Sequence, residues 1–367
     1  MKQHLMKARV HVYVLHLIVF FGLLSKRMDY ISSALYYRKL GWKKKFDDHR
    51  KKAVSIEPAL ESVFEVLSEY DAKKCKPEKL IGSLLNTNNL TLNKLGLWYV
   101  CVNNLPIYEP LAKCAALGDD EAYLFYLHLR FINGDSSALD DFQSWRKNNK
   151  KGIVSDLVIT TNASKLIDES IDLKILESQL SPILIMYILE LTRGQFRPAA
   201  VVEPRTGKFI RDEIRKADVV QISPSDLTLI FLLLQRQIGD LVGKPFSCLE
   251  MLNVIRYDIG QEYRPHFDAY TKAQLEMHSD EGQRDITALG VVKSPGKGGS
   301  THFPKIDYSF LPAVGNICCF RNCDENEKIL KKSLHAGDAV IEGEKIILSQ
   351  WFRTKTTRYS REVFSLL

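Results

Sequence analysis

Three side chains in the C-terminal half of the chain could together hold a metal ion. His266 and Asp268 are separated by one residue in "YDIGQEYRPHFDAY" (257–270), and His335 lies in "LKKSLHAGDAV". The strand-like run "MLNVIRY" precedes the pair, and residues i and i+2 of a strand point to the same face. We expect Pro265 to end the regular ladder just before the pair. A lone His-x-Asp pair is more typical of a hydrogen-bonded surface pair, but with His335 it matches the facial triad of non-haem iron.

Further residues around these segments give the chain a resemblance to a known family. In order, it contains "RYDIGQEYRPHFD", "GGSTHFP", "LHAGDAV", "GEK" and "SQWFR". Together they resemble the prolyl 4-hydroxylase branch of the 2-oxoglutarate- and Fe(II)-dependent dioxygenases, over about residues 180–367. The resemblance implies a double-stranded β-helix, a jelly-roll barrel with supporting helices whose mouth holds the metal. It also implies hydroxylation coupled to decarboxylation of 2-oxoglutarate, with O₂ as oxidant, ascorbate as a further cofactor, and release of succinate and CO₂.

The resemblance assigns roles to single residues of this chain. The implied iron ligands are His266, Asp268 and His335, and no catalytic residue is expected beyond this metal site. Lys345 matches the residue that pairs with the distal carboxylate of 2-oxoglutarate, since a buried carboxylate without a partner is costly. Tyr257 and Thr301 match hydroxyl donors to the same cosubstrate, and a core or a turn residue is the alternative for each.

The resemblance also implies residues that contact the substrate. Arg284 and Trp351 match substrate-binding positions, and an aromatic face suits an extended, proline-containing peptide. The alternative is a tryptophan that packs in the barrel and an arginine at its rim. His302, within "GGSTHFP", is interpreted as a neighbour of the site or a surface residue, not as a ligand.

The substrate class leaves several hypotheses open. The resemblance implies a protein or peptide that contains proline, while the same chemistry on another side chain, a free amino acid or a small molecule is the alternative. A non-catalytic interaction protein is a third hypothesis, which the complete triad and Lys345 argue against. One departure from the family pattern, "ADVV" after Arg215 where many members have Arg-x-Ser, lies around the substrate and not at the metal.

Periodicity divides the chain into a helical and a strand-rich part. In 51–165, segments such as "EPALESVFEVLSEY" (57–70) place apolar residues at three- and four-residue spacing, which predicts amphipathic helices. The helix pair at 109–135 is similar to one unit of a tetratricopeptide-like repeat, although no second copy follows at a fixed period. From about residue 170, short β-like runs alternate with turns such as "SPGKGG".

These patterns predict an α+β protein with three parts. A helical domain at 51–165 is followed by the dioxygenase domain at 170–367 and preceded by an apolar and basic leader at 1–50. Within the dioxygenase domain, "SPSDLTLIFLLLQRQIGDLVG" (223–243) predicts one long helix with Ser223 as its N-cap.

The composition is that of an ordinary soluble globular protein, with 45% hydrophobic and 26% charged residues. Part of the excess of 7 positive charges lies in "RKLGWKKKFDDHRKK" (38–52). We interpret this run as a solvated linker or helix face, with a membrane-surface or nucleic-acid patch as the alternative. No nucleic-acid partner is expected. The seven cysteines form no C-x-x-C pair, and Cys318-Cys319 fit a buried strand, which favours reduced thiols and a cytoplasmic location.

The apolar run "VHVYVLHLIVFFGLL" (10–24) has three interpretations. It could be an uncleaved membrane anchor, a signal peptide, or an ordinary apolar helix behind an upstream start codon, with Met28 as the alternative start. It is shorter than the roughly 18 residues of a spanning helix, and no small-residue cleavage site follows it. Membrane association through 10–24 is therefore possible but not favoured.

Overall fold

The chain combines helices in its N-terminal part with antiparallel sheets in its C-terminal part. The computed structural model describes residues 30–39, 41–149, 163–199, 201–202, 209–210 and 215–366. The apolar run 10–24, and with it most of the predicted leader, lies outside these residues. None of the helices described is both long and apolar enough to cross a membrane.

The helices follow the apolar periodicity of the sequence. They are α1 (Tyr30–Lys39), α2 (Lys43–Ile56), α3 (Leu60–Asp71), α4 (Pro77–Leu85), α5 (Leu90–Val102), α6 (Tyr108–Ala116), α7 (Asp120–Ile132), α8 (Ser137–Asn148), α9 (Pro182–Thr192), α10 (Leu229–Val242), α11 (Lys272–Met277) and α12 (Arg358–Leu366). In α3, the apolar face predicted from the sequence is confirmed, because Leu60, Val63, Phe64 and Leu67 are all buried. The tetratricopeptide-like character of these helices stays a prediction.

The helix predicted over 223–243 begins later than the sequence suggests. It starts at Leu229, and the hydroxyl of Ser223, predicted as its N-cap, instead bonds the side chains of Ser225 and Asp226 in a turn. The backbone amide of Leu229 donates to the carboxylate of Glu121 at 3.0 Å. The N-cap prediction was wrong because the acceptor for this first helix amide, Glu121, is distant in sequence. Capping patterns read from neighbouring residues cannot identify such an acceptor.

The strands pair exclusively antiparallel among the described residues. They are β1 (Ser164–Asp168), β2 (Leu173–Leu176), β3 (Arg197–Pro198), β4 (Val201–Val202), β5 (Phe209–Ile210), β6 (Asp218–Ile222), β7 (Leu252–Tyr257), β8 (Tyr263–His266), β9 (Arg284–Lys293), β10 (Lys297–Gly298), β11 (Thr301–Phe303), β12 (Tyr308–Phe310), β13 (Ile317–Arg321), β14 (His335–Gly337), β15 (Val340–Glu342) and β16 (Lys345–Arg353). The predicted α+β class, with N-terminal helices and a C-terminal antiparallel sheet, is confirmed.

Two of the sheets carry the residues discussed below. The larger has eight strands in the order β1-β2-β13-β9-β16-β7-β6-β3, and the smaller has four in the order β12-β11-β14-β8. β10 pairs with β15, and β4 pairs with β5. Both larger sheets contribute to one apolar core, which includes Leu173 and Ile175 of β2 and Phe303 of β11. Alternate residues of a strand face the same side, which explains the two-residue spacing within β2.

The chain divides into two compact units. The first comprises Met1–Tyr126, Ser223–Arg236 and Arg361–Leu367, and the second comprises Leu127–Ile222 and Gln237–Ser360. All the strands described lie in the second unit. Because the first unit takes two segments from the C-terminal half, the units do not follow the domain bounds expected from the sequence, which stay a prediction.

Candidate active site

One cavity of the second unit gathers most of the residues singled out from the sequence. The empty space in and at the mouth of this cavity is about 400 Å³, part of it open to solvent. The predicted metal ligands line it, and so do Lys345, Tyr257, Thr301 and Trp351. Arg284 is not part of its lining. The strands of both main sheets therefore deliver side chains to a single, partly open cavity.

The three predicted metal ligands converge in this cavity. One ligand atom from each of His266, Asp268 and His335 lies within 4.8 Å of the others. The Nε2 atom of His266 is 3.4 Å from Oδ1 of Asp268, and Nε2 of His335 is 3.6 Å from Oδ2. Within the described part of the chain, this is the one group of three such side chains close enough to share a metal ion.

Strand pairing brings the two histidines together. β8 and β14 are antiparallel neighbours, and His266 lies directly opposite His335 in their register. Asp268 lies beyond the strand, because β8 ends at His266. The interpretation that a single strand presents both residues was therefore wrong. Pro265 was also misplaced, since it lies within β8, an edge strand where a residue without an amide proton is tolerated.

Backbone hydrogen bonds orient both imidazole rings. Nδ1 of His266 is 2.8 Å from the carbonyl oxygen of Arg264, and Nδ1 of His335 is 2.9 Å from that of Ser333. Because a carbonyl oxygen only accepts, each Nδ1 carries the proton and each Nε2 keeps its lone pair. Burial lowers the pKa of His335 to about 4, so this ring is neutral at neutral pH. Two such Nε2 atoms and a carboxylate fit a divalent transition metal.

Two further buried side chains hold the carboxylate of Asp268. Burial acts to raise the pKa of this carboxyl, whereas the hydrogen bond from the hydroxyl of Thr287 acts to lower it. Thr287 Oγ1 donates to Oδ2 of Asp268 at 2.7 Å, and Asn322 Nδ2 donates to Thr287 Oγ1 at 2.8 Å. Thr287 and Asn322 are completely buried. Sequence reasoning missed both, since neither stands in a ligand-like spacing to Asp268.

Lys345 places a buried cation in the same cavity. Its side chain is 3% exposed, and no carboxylate of the described residues forms an ion pair with its ammonium group. Burial lowers its pKa to about 8, although Asp338 acts in the opposite direction. Tyr257 lies opposite Lys345 in the pairing of β7 with β16, with its ring centroid 5.5 Å from Nζ. A buried cation without a counter-charge is costly, which indicates an anionic ligand.

The remaining predicted residues occupy different positions. Thr301 is buried at the start of β11, opposite Gly337 of β14. Trp351 lines the cavity, and its buried indole Nε1 has no hydrogen-bond partner among the described residues. Arg284 lies next to this ring instead of in the lining, with its guanidinium carbon 3.8 Å from the ring centroid. His302 bonds the hydroxyl of Ser309 at 2.9 Å and lies outside the metal-ligand cluster.

A carboxylate that the sequence did not identify holds Arg284 in place. Glu250 Oε2 accepts a hydrogen bond from Nη2 of Arg284 at 2.8 Å, and its Oε1 accepts one from Nη1 of Arg353 at 3.0 Å. Burial would raise the pKa of Glu250, but the two guanidinium groups keep it below its usual value. The side chain of Arg353 is 1% exposed, so Glu250 neutralises a fully buried cation.

Arg215, Tyr263 and Ser349 also line the cavity and were not assigned to the site from the sequence. The guanidinium carbon of Arg215 is 5.4 Å from the ring centroid of Tyr263, and its side chain hydrogen-bonds Tyr257. Tyr263 stands three residues before His266, and this short spacing could have identified it as a residue of the site from the sequence. Arg215 reaches the cavity through an isolated β-bridge to Tyr263, which no local pattern announces.

The part of the chain that forms most of this cavity is similar to known proteins. Residues 252–353 match the family described as the 2OG-Fe(II) oxygenase superfamily. The chain is 28% identical over 187 residues to a protein of Arabidopsis thaliana described as "Probable prolyl 4-hydroxylase 10". This match covers 46% of this chain and 63% of that protein. It is 27% identical over 176 residues to prolyl 4-hydroxylase subunit alpha-1 of Gallus gallus, which covers 47% of this chain and 34% of the relative. The chain thus spans less than two thirds of either relative.

Solved structures give similar matches. A viral collagen prolyl hydroxylase from Paramecium bursaria chlorella virus-1, in complex with 2OG, is 25% identical with a TM-score of 0.39, and the match covers 49% of this chain and 95% of the viral one. A prolyl-4-hydroxylase of Pseudomonas putida is 17% identical with a TM-score of 0.35, and the match covers 50% of this chain and 92% of the bacterial one.

Proposed function

We propose that this chain is a dioxygenase that hydroxylates prolyl residues of a protein or peptide. Its residues 252–353 match the 2OG-Fe(II) oxygenase superfamily. Fe(II), 2-oxoglutarate, O₂ and ascorbate are the proposed cofactors and cosubstrates, and succinate and CO₂ the products. One observation carries the proposal: a His-Asp-His cluster shares one cavity with a buried lysine that has no ion-pair partner among the described residues. We further propose that the two main sheets form the double-stranded β-helix implied by the sequence.

The proposed metal ligands are the Nε2 atoms of His266 and His335 and the carboxylate of Asp268. The backbone acceptors of both Nδ1 atoms support this choice, because they leave the two Nε2 lone pairs directed to one place. Iron(II) held there would supply the chemistry that couples O₂ to the decarboxylation of the 2-oxo acid. Three ligands from the chain leave coordination positions for both cosubstrates.

The proposed role of Lys345 is to pair with the distal carboxylate of 2-oxoglutarate. Its buried ammonium group has no counter-charge among the described residues. An incoming carboxylate would therefore form a charge-assisted hydrogen bond with it without displacing a carboxylate of the described chain. Tyr257 lies directly opposite, and burial raises the pKa of its phenol, so that the hydroxyl stays protonated as a donor. The hydroxyl of Thr301 is the second proposed donor from the cavity wall.

The proposed substrate contact is Trp351. Its indole N–H is unpaired in the described structure and its ring lines the cavity, so it offers both an aromatic face and a hydrogen-bond donor to a peptide. Arg284 has a different proposed role from the one implied by the resemblance. Its ion pair with Glu250 and its contact with the ring suggest that it orients Trp351.

Peptide turnover tests the proposal. Proline-containing peptides, incubated with the chain, Fe(II), ascorbate and 2-oxoglutarate, should gain the mass of one oxygen atom while succinate forms. His335→Ala should abolish both signals, whereas His302→Ala, which removes an imidazole outside the cluster, should retain them. Unchanged succinate formation in His335→Ala would refute the site. Turnover of small molecules alone would favour the alternative substrate class, and no succinate with any substrate would favour a non-catalytic role.

A further inference from the structure

The positive charge of the chain is concentrated in one short segment. Residues 38–52, "RKLGWKKKFDDHRKK", contain eight Lys or Arg and two Asp, and thus carry a net charge of +6 out of +7 for the whole chain. Most of this segment lies in α2. The dioxygenase chemistry makes no use of it, so its charge calls for a separate explanation.

In the first compact unit, α1 and α2 present this charge together with aromatic rings. We call Tyr30, Tyr37, Trp42, Lys45 and Lys52 the basic aromatic face. The rings of Tyr37 and Trp42 stack at 5.8 Å, and Nζ of Lys45 lies 5.2 Å and 4.9 Å from their centroids. Nζ of Lys52 lies 5.4 Å from the ring of Tyr30. Lys45 and Lys52 are two helical turns apart, so they project from the same side of α2.

The face is exposed, and its lysines form no ion pair among the described residues. Trp42 is 48% and Tyr30 is 40% exposed, which is unusual for large aromatic side chains. Nearby arginines are neutralised, Arg38 by Asp71 and Arg50 by Glu61. By contrast, in the part of the chain that the structure describes, no carboxylate pairs with the lysines of α2, which are Lys43, Lys44, Lys45, Lys51 and Lys52. Their charge is thus available to an external anion.

We propose that the basic aromatic face binds the anionic headgroups of a lipid bilayer. Tyr and Trp rings prefer the headgroup level of a membrane, and lysines beside them are attracted by anionic lipids. Upstream in the sequence, the apolar run 10–24 is followed by Lys26 and Arg27 and then by this face. An apolar segment followed by basic and aromatic residues is the order found at a membrane–water interface. A nucleic acid would engage the lysines but leaves the apolar run unexplained.

Vesicle binding tests this proposal with the full chain. Vesicles of phosphatidylcholine with about a quarter phosphatidylserine should bind the chain more tightly than pure phosphatidylcholine, and added salt should weaken the binding. A lysine near such a surface is worth about fivefold in partitioning. The triple variant Lys44→Gln, Lys45→Gln and Lys52→Gln changes both lysines of the face and the exposed lysine beside Lys45, and it should bind about a hundredfold more weakly. The matched control replaces the exposed lysines 305, 328 and 331 by Gln, which removes the same charge from the second unit and should bind as the parent does.

Two further measurements locate the contact. Vesicles with brominated acyl chains should quench the fluorescence of the parent chain. Trp42→Phe should remove the quenching, because Trp42, which is 48% exposed, is the tryptophan of the basic aromatic face. Equal binding to neutral vesicles, or equal loss in the control variant, would overturn the proposal. So would lysine-dependent binding of RNA without binding to vesicles, which would assign the face to a nucleic acid. Both triple variants retain residues 10–24. If that run alone bound the vesicles, the two variants would therefore bind them equally tightly.

Discussion

Replacing Thr287 by valine should weaken metal binding without removing a metal ligand. Valine has nearly the shape of threonine, so the change removes a hydroxyl from a fully buried position and leaves the packing in place. That hydroxyl donates to Oδ2 of Asp268 at 2.7 Å and accepts from Asn322 at 2.8 Å. Without it, the carboxylate loses the donor that orients it toward the two histidines.

The structure sets the size of the effect. Asn322 Oδ1 is already buried without a partner among the described residues, so the substitution leaves the whole amide unpaired. One unpaired buried amide costs about 1–3 kcal/mol, and the lost bond to a charged carboxylate adds about 1.5–3 kcal/mol to the loss in the free energy of unfolding. Side chains that orient a metal ligand typically contribute 10- to 100-fold to metal affinity. We therefore expect the Kd for Mn(II) to rise by about that factor.

Titration calorimetry with Mn(II) and thermal unfolding separate the two effects. Thr287→Ser keeps the hydroxyl and should bind the metal nearly as well as the parent. Thr192→Val is the matched control, because Thr192 is 1% exposed and its hydroxyl donates to the carbonyl of Ile188 at 2.9 Å. It should lose stability but not metal affinity. If Thr287→Val binds Mn(II) as tightly as the parent, or Thr192→Val weakens binding equally, the orienting role is refuted.

Three further predictions concern charges in and beside the cavity. Lys345→Met should raise the melting temperature of the ligand-free chain, because it removes a buried cation without a counter-charge, and a lower melting temperature would contradict this. The same variant should weaken 2-oxoglutarate binding at least a hundredfold, because loss of one partner of a buried ion pair costs about 3–5 kcal/mol. Since burial lowers the pKa of Lys345 to about 8, the ligand-free lysine loses its proton as pH rises through that value, so 2-oxoglutarate affinity should fall above about pH 8, and calorimetry that finds no pH dependence would exclude the pairing. Glu250→Gln should reduce the free energy of unfolding by about 3 kcal/mol, because Arg284 and Arg353 lose their counter-charge; urea unfolding with an unchanged midpoint would show that the network is dispensable.

Much of the site was accessible from the sequence because its residues stand in spaced motifs. The proposed ligands His266, Asp268 and His335, together with Lys345 and Tyr257, are predicted from their order along the chain, and they line one cavity. The helical part was equally accessible, since the spacing of apolar residues in α3 records which face is buried. Both kinds of information are local or depend on linear spacing, which a sequence displays directly.

What only the tertiary structure decided depends on pairing between distant segments. The register of β8 with β14 sets His266 opposite His335, and the bend after β8, not a shared strand, delivers Asp268. Thr287 lies in β9 and Asn322 directly follows β13, yet one hydroxyl links both to Asp268. Neighbours across a sheet are determined by register and not by separation along the chain. The sequence by itself therefore determined which residues could hold a metal, and the fold decided which others hold those residues in place.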